Sequence, residues 1–426
     1  MVHIKLIQTL KSGTTRFALV ISILLIVLPF GNQYVTNSAL TLVLFNSIIS
    51  LRLKDWAKAF INPIFVLSAL FYIYLYISLY WSANPTTGLL QLETKLSLLI
   101  APFVLVANKR LITLNHKELF LKVFVVANAL ALLLILFIAA YKAIDAGAFY
   151  YIPEGSKSKV YFFTYVSLAQ PLMHPGYLST YFGIAILSAI FLFITKSVRK
   201  WLWLGLLIWL FLGMILVQGR INILALFVVL SLGGLVAAIR LKRYKWLFIP
   251  AIPAFLFVVL LAFGNKAIKA RFLQMPDFNY NISGTHEDFN SATYRLAEWT
   301  CAADVINQNP VKGVGIGSNT QALMKAYENR GFWEGLRQGF NAHNEYLEIA
   351  MIGGFIGLAL LILLLGGYAY FSFRNGDYLT LAALTFFALS MITESMLERA
   401  WAIILYAVFF PLMLLVSARG ATKSRA

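Results

Sequence analysis

Charge and sulfur are what this chain has least of. Only 12% of its 426 residues are charged, and a single cysteine, Cys301, stands among them. One cysteine excludes an internal disulfide and any cysteine-rich metal site. Soluble domains carry roughly 25% charged residues. Set against 60% hydrophobic residues and a mean hydropathy of +0.78, that deficit excludes a water-soluble fold. The signatures of several enzyme classes are missing too: there is no P-loop, no GxSxG elbow and no HExxH. No Asp-x-Asp pair is present to hold a divalent cation on a diphosphate, and His286-Glu287-Asp288 places three adjacent side chains in different directions, so no metal or other cofactor is expected. Acidic residues are also scarce, 17 against 35 Lys and Arg. The resulting charge of +18 raises nucleic acid as a partner. The basic residues, however, sit in short segments between apolar runs, which is the pattern of the positive-inside rule, and no nucleic-acid partner is expected.

What the chain has in quantity is apolar runs of roughly 16 to 26 residues, each close to the length that crosses a ~30 Å hydrocarbon core. Lipid forces a backbone to satisfy its own hydrogen bonds, and the runs lack the alternation of a barrel. The expected fold is therefore an all-α polytopic membrane protein of about 12 transmembrane helices, at 16–31, 35–51, 60–81, 88–107, 119–143, 174–195, 201–218, 221–239, 246–264, 344–371, 377–394 and 400–418. The first run has no small-residue cleavage site and reads as a retained span. With both termini on the cytoplasmic side, 20 of the 35 Lys/Arg but only 3 of the 17 Asp/Glu face the cytoplasm, which fixes the expected orientation. Three parts follow: 1–264 with the first nine spans and a short aromatic outer segment at 143–173, a large outer loop at 265–343 with short helices, and 344–426 with the last three spans and a cytoplasmic tail.

The large loop has soluble-like composition, and a loop this long is usually functional. Lys266, Lys269 and Arg271 open it. In Ser291-Ala-Thr-Tyr-Arg295-Leu-Ala-Glu298-Trp299, Arg295 lies one turn into a helix capped by Ser291 or Thr293. Guanidinium and helix N-terminus together suit an anionic ligand; the competing reading is a surface Arg paired with Glu298 at i,i+3. Gly313, Gly315 and Gly317, after Asn309-Pro310, either let backbone N–H groups approach a phosphate or simply make a turn. The loop closes on Asn341-Ala-His343-Asn344-Glu345-Tyr346-Leu347-Glu348. His343 sits at the mouth of a span, with Asn341 as the expected N-cap and Glu345 and Glu348 near enough along the chain to orient its ring, and it can take a proton from a hydroxyl. The bland alternative is a polar residue at a helix entrance. Arg220 occupies a very short outer turn between two spans, where an arginine snorkels or serves a function. His174, at another outer entrance, is a secondary candidate for lipid or acceptor contact.

Arg220 in its turn, Tyr294-Arg295-x-x-x-Trp299, Asn309-Pro310-x-x-Gly313-x-Gly315-x-Gly317 and His343-Asn344-x-Tyr346-Leu347-Glu348 running into Gly353, Gly354 and Gly357 together resemble the O-antigen ligase/O-antigen polymerase superfamily, over about residues 216–357. The resemblance implies a bacterial inner-membrane enzyme whose loop faces the periplasm. It implies an inverting, metal-independent transferase acting on an undecaprenyl-diphosphate-linked glycan. Arg220 and Arg295 would bind the diphosphate and Arg271 would assist. His343 would be the general base or would position the acceptor hydroxyl, with Gly313, Gly315, Gly317, Asn344, Glu345, Tyr346 and His174 lining the substrate site. One dominant outer loop after a shorter aromatic one favours a ligase, whose acceptor is lipid A–core. A repeat-unit polymerase and a protein O-oligosaccharyltransferase share the same motifs. A lipid or anion transporter is the less favoured alternative: carriers place charge near mid-membrane, whereas here Glu93, Lys95 and Lys122 lie near span ends and the polar residues crowd into one outer loop.

Overall fold

The computed structural model describes residues 12–152, 159–195, 199–242, 281–284 and 289–423. Seventeen α-helices fill these residues. They begin with α1 (Gly13–Val27), α2 (Gln33–Ser50), α3 (Leu53–Phe60), α4 (Pro63–Ile77), α5 (Pro85–Lys95), α6 (Ser97–Ala107) and α7 (Asn115–Asp145). A two-residue antiparallel hairpin, β1 (Tyr150–Tyr151) on β2 (Val160–Tyr161), leads to α8 (Tyr165–Ala169), α9 (Pro175–Thr195), α10 (Lys200–Leu216) and α11 (Arg220–Leu241). The last third holds α12 (Ser291–Gln308), α13 (Asn319–Arg330), α14 (Trp333–Gln338), α15 (Glu345–Arg374), α16 (Tyr378–Ser390) and α17 (Ala400–Lys423).

Among the described residues, eight helical stretches are long and apolar enough to cross a membrane, so the chain is an all-α, multi-pass membrane protein. That count differs from the twelve expected for identifiable reasons. α10 and α16 are apolar but shorter than a full crossing. α2 is 18 residues long but carries Asn37, Asn46 and several hydroxyl side chains. The expected span at 246–264 lies outside the described residues. α9 and α17 are the most buried of the crossing helices; both are apolar on all sides and pack against neighbours on several flanks, as central helices do.

Two expected spans are broken. The run 88–107 is α5 and α6, parted at Leu96. α15 departs from helical geometry at Gly354, whose φ of 60° and ψ of −160° are open essentially to glycine alone. The break leaves main-chain groups without helical partners, and inside a membrane protein these must be satisfied by other protein groups. The segment 309–316 does this. The amides of Val314 and Gly315 donate to the carbonyls of Met351 and Ile352 at 2.8 and 2.9 Å, and the amides of Phe355 and Ile356 donate to those of Pro310 and Val311 at 2.8 and 3.3 Å. The Tyr74 hydroxyl takes the Gly353 carbonyl at 2.7 Å.

The segment 289–351 has a small apolar core of its own, built from Phe289, Ala297, Cys301, Val305, Leu323, Tyr327 and Phe332 with Ala342 and Met351. This core seats α12, α13 and α14 on the first turns of α15. The opposite end of the bundle carries Arg110–Asp55 (2.9 Å) and Lys117–Asp377 (2.9 Å) ion pairs.

Candidate functional site

Arg220 and Arg295 meet at the first turn of α12. The chain reaches Arg220 through Gln218, at φ 58°, and Gly219. Asn222, two residues on, pins this corner to α9 by donating to the Gly176 carbonyl (2.9 Å) and to the hydroxyls of Ser179 (2.9 Å) and Thr180 (3.1 Å). A fixed corner sends the Arg220 guanidinium to the Ser291 hydroxyl. Arg295 donates to the Ser291 carbonyl at 3.0 Å, to the Thr393 carbonyl at 3.1 Å and to a Glu394 carboxylate oxygen at 3.2 Å. Three of the five N–H donors of a guanidinium are thus used, and two remain for an anion. The cap of α12 is Asn290 rather than Ser291 or Thr293. Its side chain accepts from the amides of Ala292 (2.8 Å) and Thr293 (3.1 Å), while the Thr293 hydroxyl accepts from the Asn290 amide. Ser291 is left to hold the two arginines.

One turn along α12, on the same face as Arg295, Glu298 does not pair with it as an i,i+3 neighbour. The carboxylate of Glu298, almost fully buried, meets Nδ1 of His343 at 3.0 Å. An ionised carboxylate only accepts, so with Glu298 ionised this contact holds a proton on Nδ1 and leaves the Nε2 lone pair of a neutral ring available. Burial lowers the pKa of His343, but the charge and hydrogen bond of Glu298 outweigh it, and the net direction is upward from the ordinary 6.5. Burial pushes Glu298 up from the usual carboxylate range, against the pull of His343. His343 is 27% exposed, so its ring is held on one edge and open on another.

The backbone of His343 lies at φ 41°, in the left-handed region that non-glycine residues seldom adopt. Its neighbours over-determine this strain. Its amide donates to the Asn341 side chain at 3.0 Å, the Ala342 amide donates to Glu348 at 3.3 Å, and the Glu345 amide donates to the Met391 carbonyl at 2.9 Å. Asn344, not Asn341, caps α15 by accepting from the Leu347 amide at 3.1 Å.

The other expected site residues divide. His174 lies beside the cluster: its Nδ1 accepts from the Gly176 amide at 3.4 Å, and burial lowers its pKa, aided by His343, Arg295 and Arg399, against the pull of Glu394. Glu394 itself rests on Gly176, where a Cβ would stand 2.9 Å from its carboxyl. Glu345 and Glu348 were expected to orient His343 or offset the helix dipole, and the carboxylate of neither meets its ring. Glu345 accepts from the Leu397 amide at 2.7 Å, and Glu348 accepts from the Asn319 side chain at 2.6 Å. The Tyr346 hydroxyl donates to the Ala388 carbonyl at 2.8 Å, tying α15 to α16. Gly313, Gly315 and Gly317 do not form a phosphate cradle. All three have positive φ and lie in backbone-to-backbone contact with Met351, Ser78 and Asn84 respectively, too close for any Cβ. The amides of Gly313 and Gly315 are spent on the carbonyls of Asn309 and Ile352. Arg271 lies outside the described residues.

Sequence reasoning missed Glu298 as the partner of His343 and Glu394 as the partner of Arg295. The spacing of 298 from 295 on one helix face was a usable signal for the first; nothing local signals the second. Among the described residues, no group of three or more His, Cys, Asp or Glu could hold a metal ion.

What meets here is two guanidinium groups, a carboxylate-oriented imidazole and a second imidazole, contributed by α11, α12, the turn before α15 and the turns before α9 and α17. Such a set can bind an oxyanion and move a proton beside it. Comparison with curated proteins returns no match. A family model described as O-Antigen ligase matches residues 205–362, the stretch that supplies Arg220, Arg295, Glu298 and His343. That stretch is similar to the O-antigen ligase family, a likeness that implies a glycan-transferring membrane enzyme of the O-antigen ligase/polymerase kind.

Proposed function

We propose that the protein is an inverting, metal-independent glycosyltransferase that moves an undecaprenyl-diphosphate-linked glycan onto lipid A–core, working at the periplasmic face of a bacterial inner membrane with both termini in the cytoplasm. The observation that carries this reading is the buried Glu298–His343 contact (3.0 Å) on the same α12 face as Arg295, which shares Ser291 with Arg220. The acceptor hydroxyl gives its proton to Nε2 of His343 as its oxygen forms a bond to the anomeric carbon. The bond from that carbon to the diphosphate breaks on the opposite face, and its electron pair leaves with the diphosphate. Glu298 stabilises the imidazolium that forms. Arg220 and Arg295 neutralise the leaving diphosphate, with Arg271 assisting. A diphosphate is already a good leaving group, so charge neutralisation matters more than a proton or a metal. His174 contacts the acceptor or the lipid. In this reading Gly313, Gly315, Gly317, Asn344, Glu345 and Tyr346 act by holding the loop and α15 in place.

The test uses purified protein in nanodiscs with a radiolabelled undecaprenyl-diphosphate glycan, given lipid A–core or no acceptor, with His343→Ala and Arg220→Ala as comparisons. Transfer to lipid A–core that is lost in both variants supports the ligase. Lengthening of the lipid-linked glycan without lipid A–core makes the protein a repeat-unit polymerase, and label on a protein makes it an O-oligosaccharyltransferase. Full transfer by both variants would discard the site.

A further inference from the structure

Away from the arginine–histidine cluster, α1, α2, the α5–α6 break and α17 line a cavity of about 570 Å³. Its inner part is hydrocarbon, from Leu24, Leu44, Ile100, Val104, Ile404 and Val408. Its rim is not. Gln33, Asn37 and Thr41 recur every fourth residue along one face of α2, and Glu93 and Thr94 face them from α5. The side chains of Gln33, Asn37 and Glu93 are exposed and have no partner among the described residues. Lys95, two residues beyond Glu93, does not serve it, since its Nζ is buried on Glu398 at 2.6 Å. Among the described residues, no lysine or arginine lines the cavity. The rim lies toward the end of the bundle that carries His343, because Gly31, just before α2, is bonded through its carbonyl to Trp401 at 2.7 Å.

Glu93 lies within a membrane-crossing stretch. A carboxylate facing lipid is costly unless a cation meets it, and amide donors in the same setting call for an acceptor. We propose that this cavity binds an aminophospholipid, with its ammonium on Glu93, its phosphate accepting from the side-chain amides of Gln33 and Asn37, and one acyl chain in the apolar shaft. The rim carboxylate sets the headgroup preference, because it attracts an ethanolamine and repels a lipid whose net charge is negative. The site is distinct from the transfer chemistry and does not depend on it.

The experiment takes the full chain in detergent, stripped of lipid, and titrates it with phosphatidylethanolamine or phosphatidylglycerol of identical acyl chains, reading bound lipid by native mass spectrometry. The wild type should bind phosphatidylethanolamine about tenfold more tightly, the scale of one charge-assisted hydrogen bond. Glu93→Gln, of the same shape and on an exposed position, should bring the two lipids to within about twofold, and Glu93→Lys should reverse the order. Equal binding of both lipids by the wild type, which needs no variant to fold, would overturn the proposal. A preference that survives Glu93→Gln would overturn it equally.

Discussion

Replacing Glu298 by Gln keeps the shape of the buried side chain and removes its charge. In the wild type the carboxylate lies 3.0 Å from Nδ1 of His343, which puts the imidazolium charge about 4 Å away. At an effective permittivity of about 20 that attraction is about 4 kcal/mol. Gln still offers a neutral hydrogen bond of about 1 kcal/mol. The imidazolium that forms as the acceptor loses its proton is then about 3 kcal/mol less stable, and transfer slows by about 10²-fold. The pH profile gives an independent check. Glu298 raises the pKa of His343 while burial lowers it. Activity that needs neutral His343 therefore rises with pH through a value above 6.5 in the wild type, and removing the carboxylate shifts that limb to lower pH. The assay is initial-rate transfer of labelled glycan between pH 5 and 9. A Gln variant with wild-type rate and an unmoved acidic limb would refute the assignment of Glu298 to His343, and with it the use of His343 as a base.

Arg295→Lys keeps the positive charge but cannot hold Ser291, Thr393 and Glu394 at once; transfer should fall by about 10²-fold, and a loss below threefold in the same assay would argue against diphosphate contact. Gly354→Ala places a Cβ 2.3 Å from the Val311 carbonyl at a backbone geometry open only to glycine. It should destabilise the protein by about 3 kcal/mol or more, seen as a clear fall in melting temperature in detergent; an unchanged melt would mean that the helix break is not fixed by the inserted segment. Because arginines neutralise the leaving group in the proposed mechanism, EDTA should leave the rate unchanged, and a loss restored by added Mg²⁺ would contradict it.

The membrane class and the helical fold were legible in the sequence, because a hydrocarbon solvent demands long apolar runs and self-satisfied backbones, and both requirements are written residue by residue. Arg220, Arg295 and His343 were legible as candidates for a related reason: a charged or titratable side chain at a membrane edge stands out against its neighbours. Span boundaries were less so. The breaks at Leu96 and Gly354 sit inside continuous apolar runs, and hydropathy does not distinguish a broken helix from a straight one. The glycine series had two readings, and tertiary structure chose the turn, packed so closely that backbone at Ser78, Asn84 and Met351, far away along the chain, excludes a Cβ. The same holds for the site. Sequence supplied nearby carboxylates for His343 in Glu345 and Glu348, but the turn into α15 directs those to Leu397 and Asn319. The residue that meets the ring comes from α12, 45 positions earlier. The chain by itself determined which solvent it folds in and which side chains are chemically conspicuous. Only the tertiary structure decided which of them meet, because a contact at hydrogen-bond distance between two helices depends on how both are packed and leaves no periodicity in either.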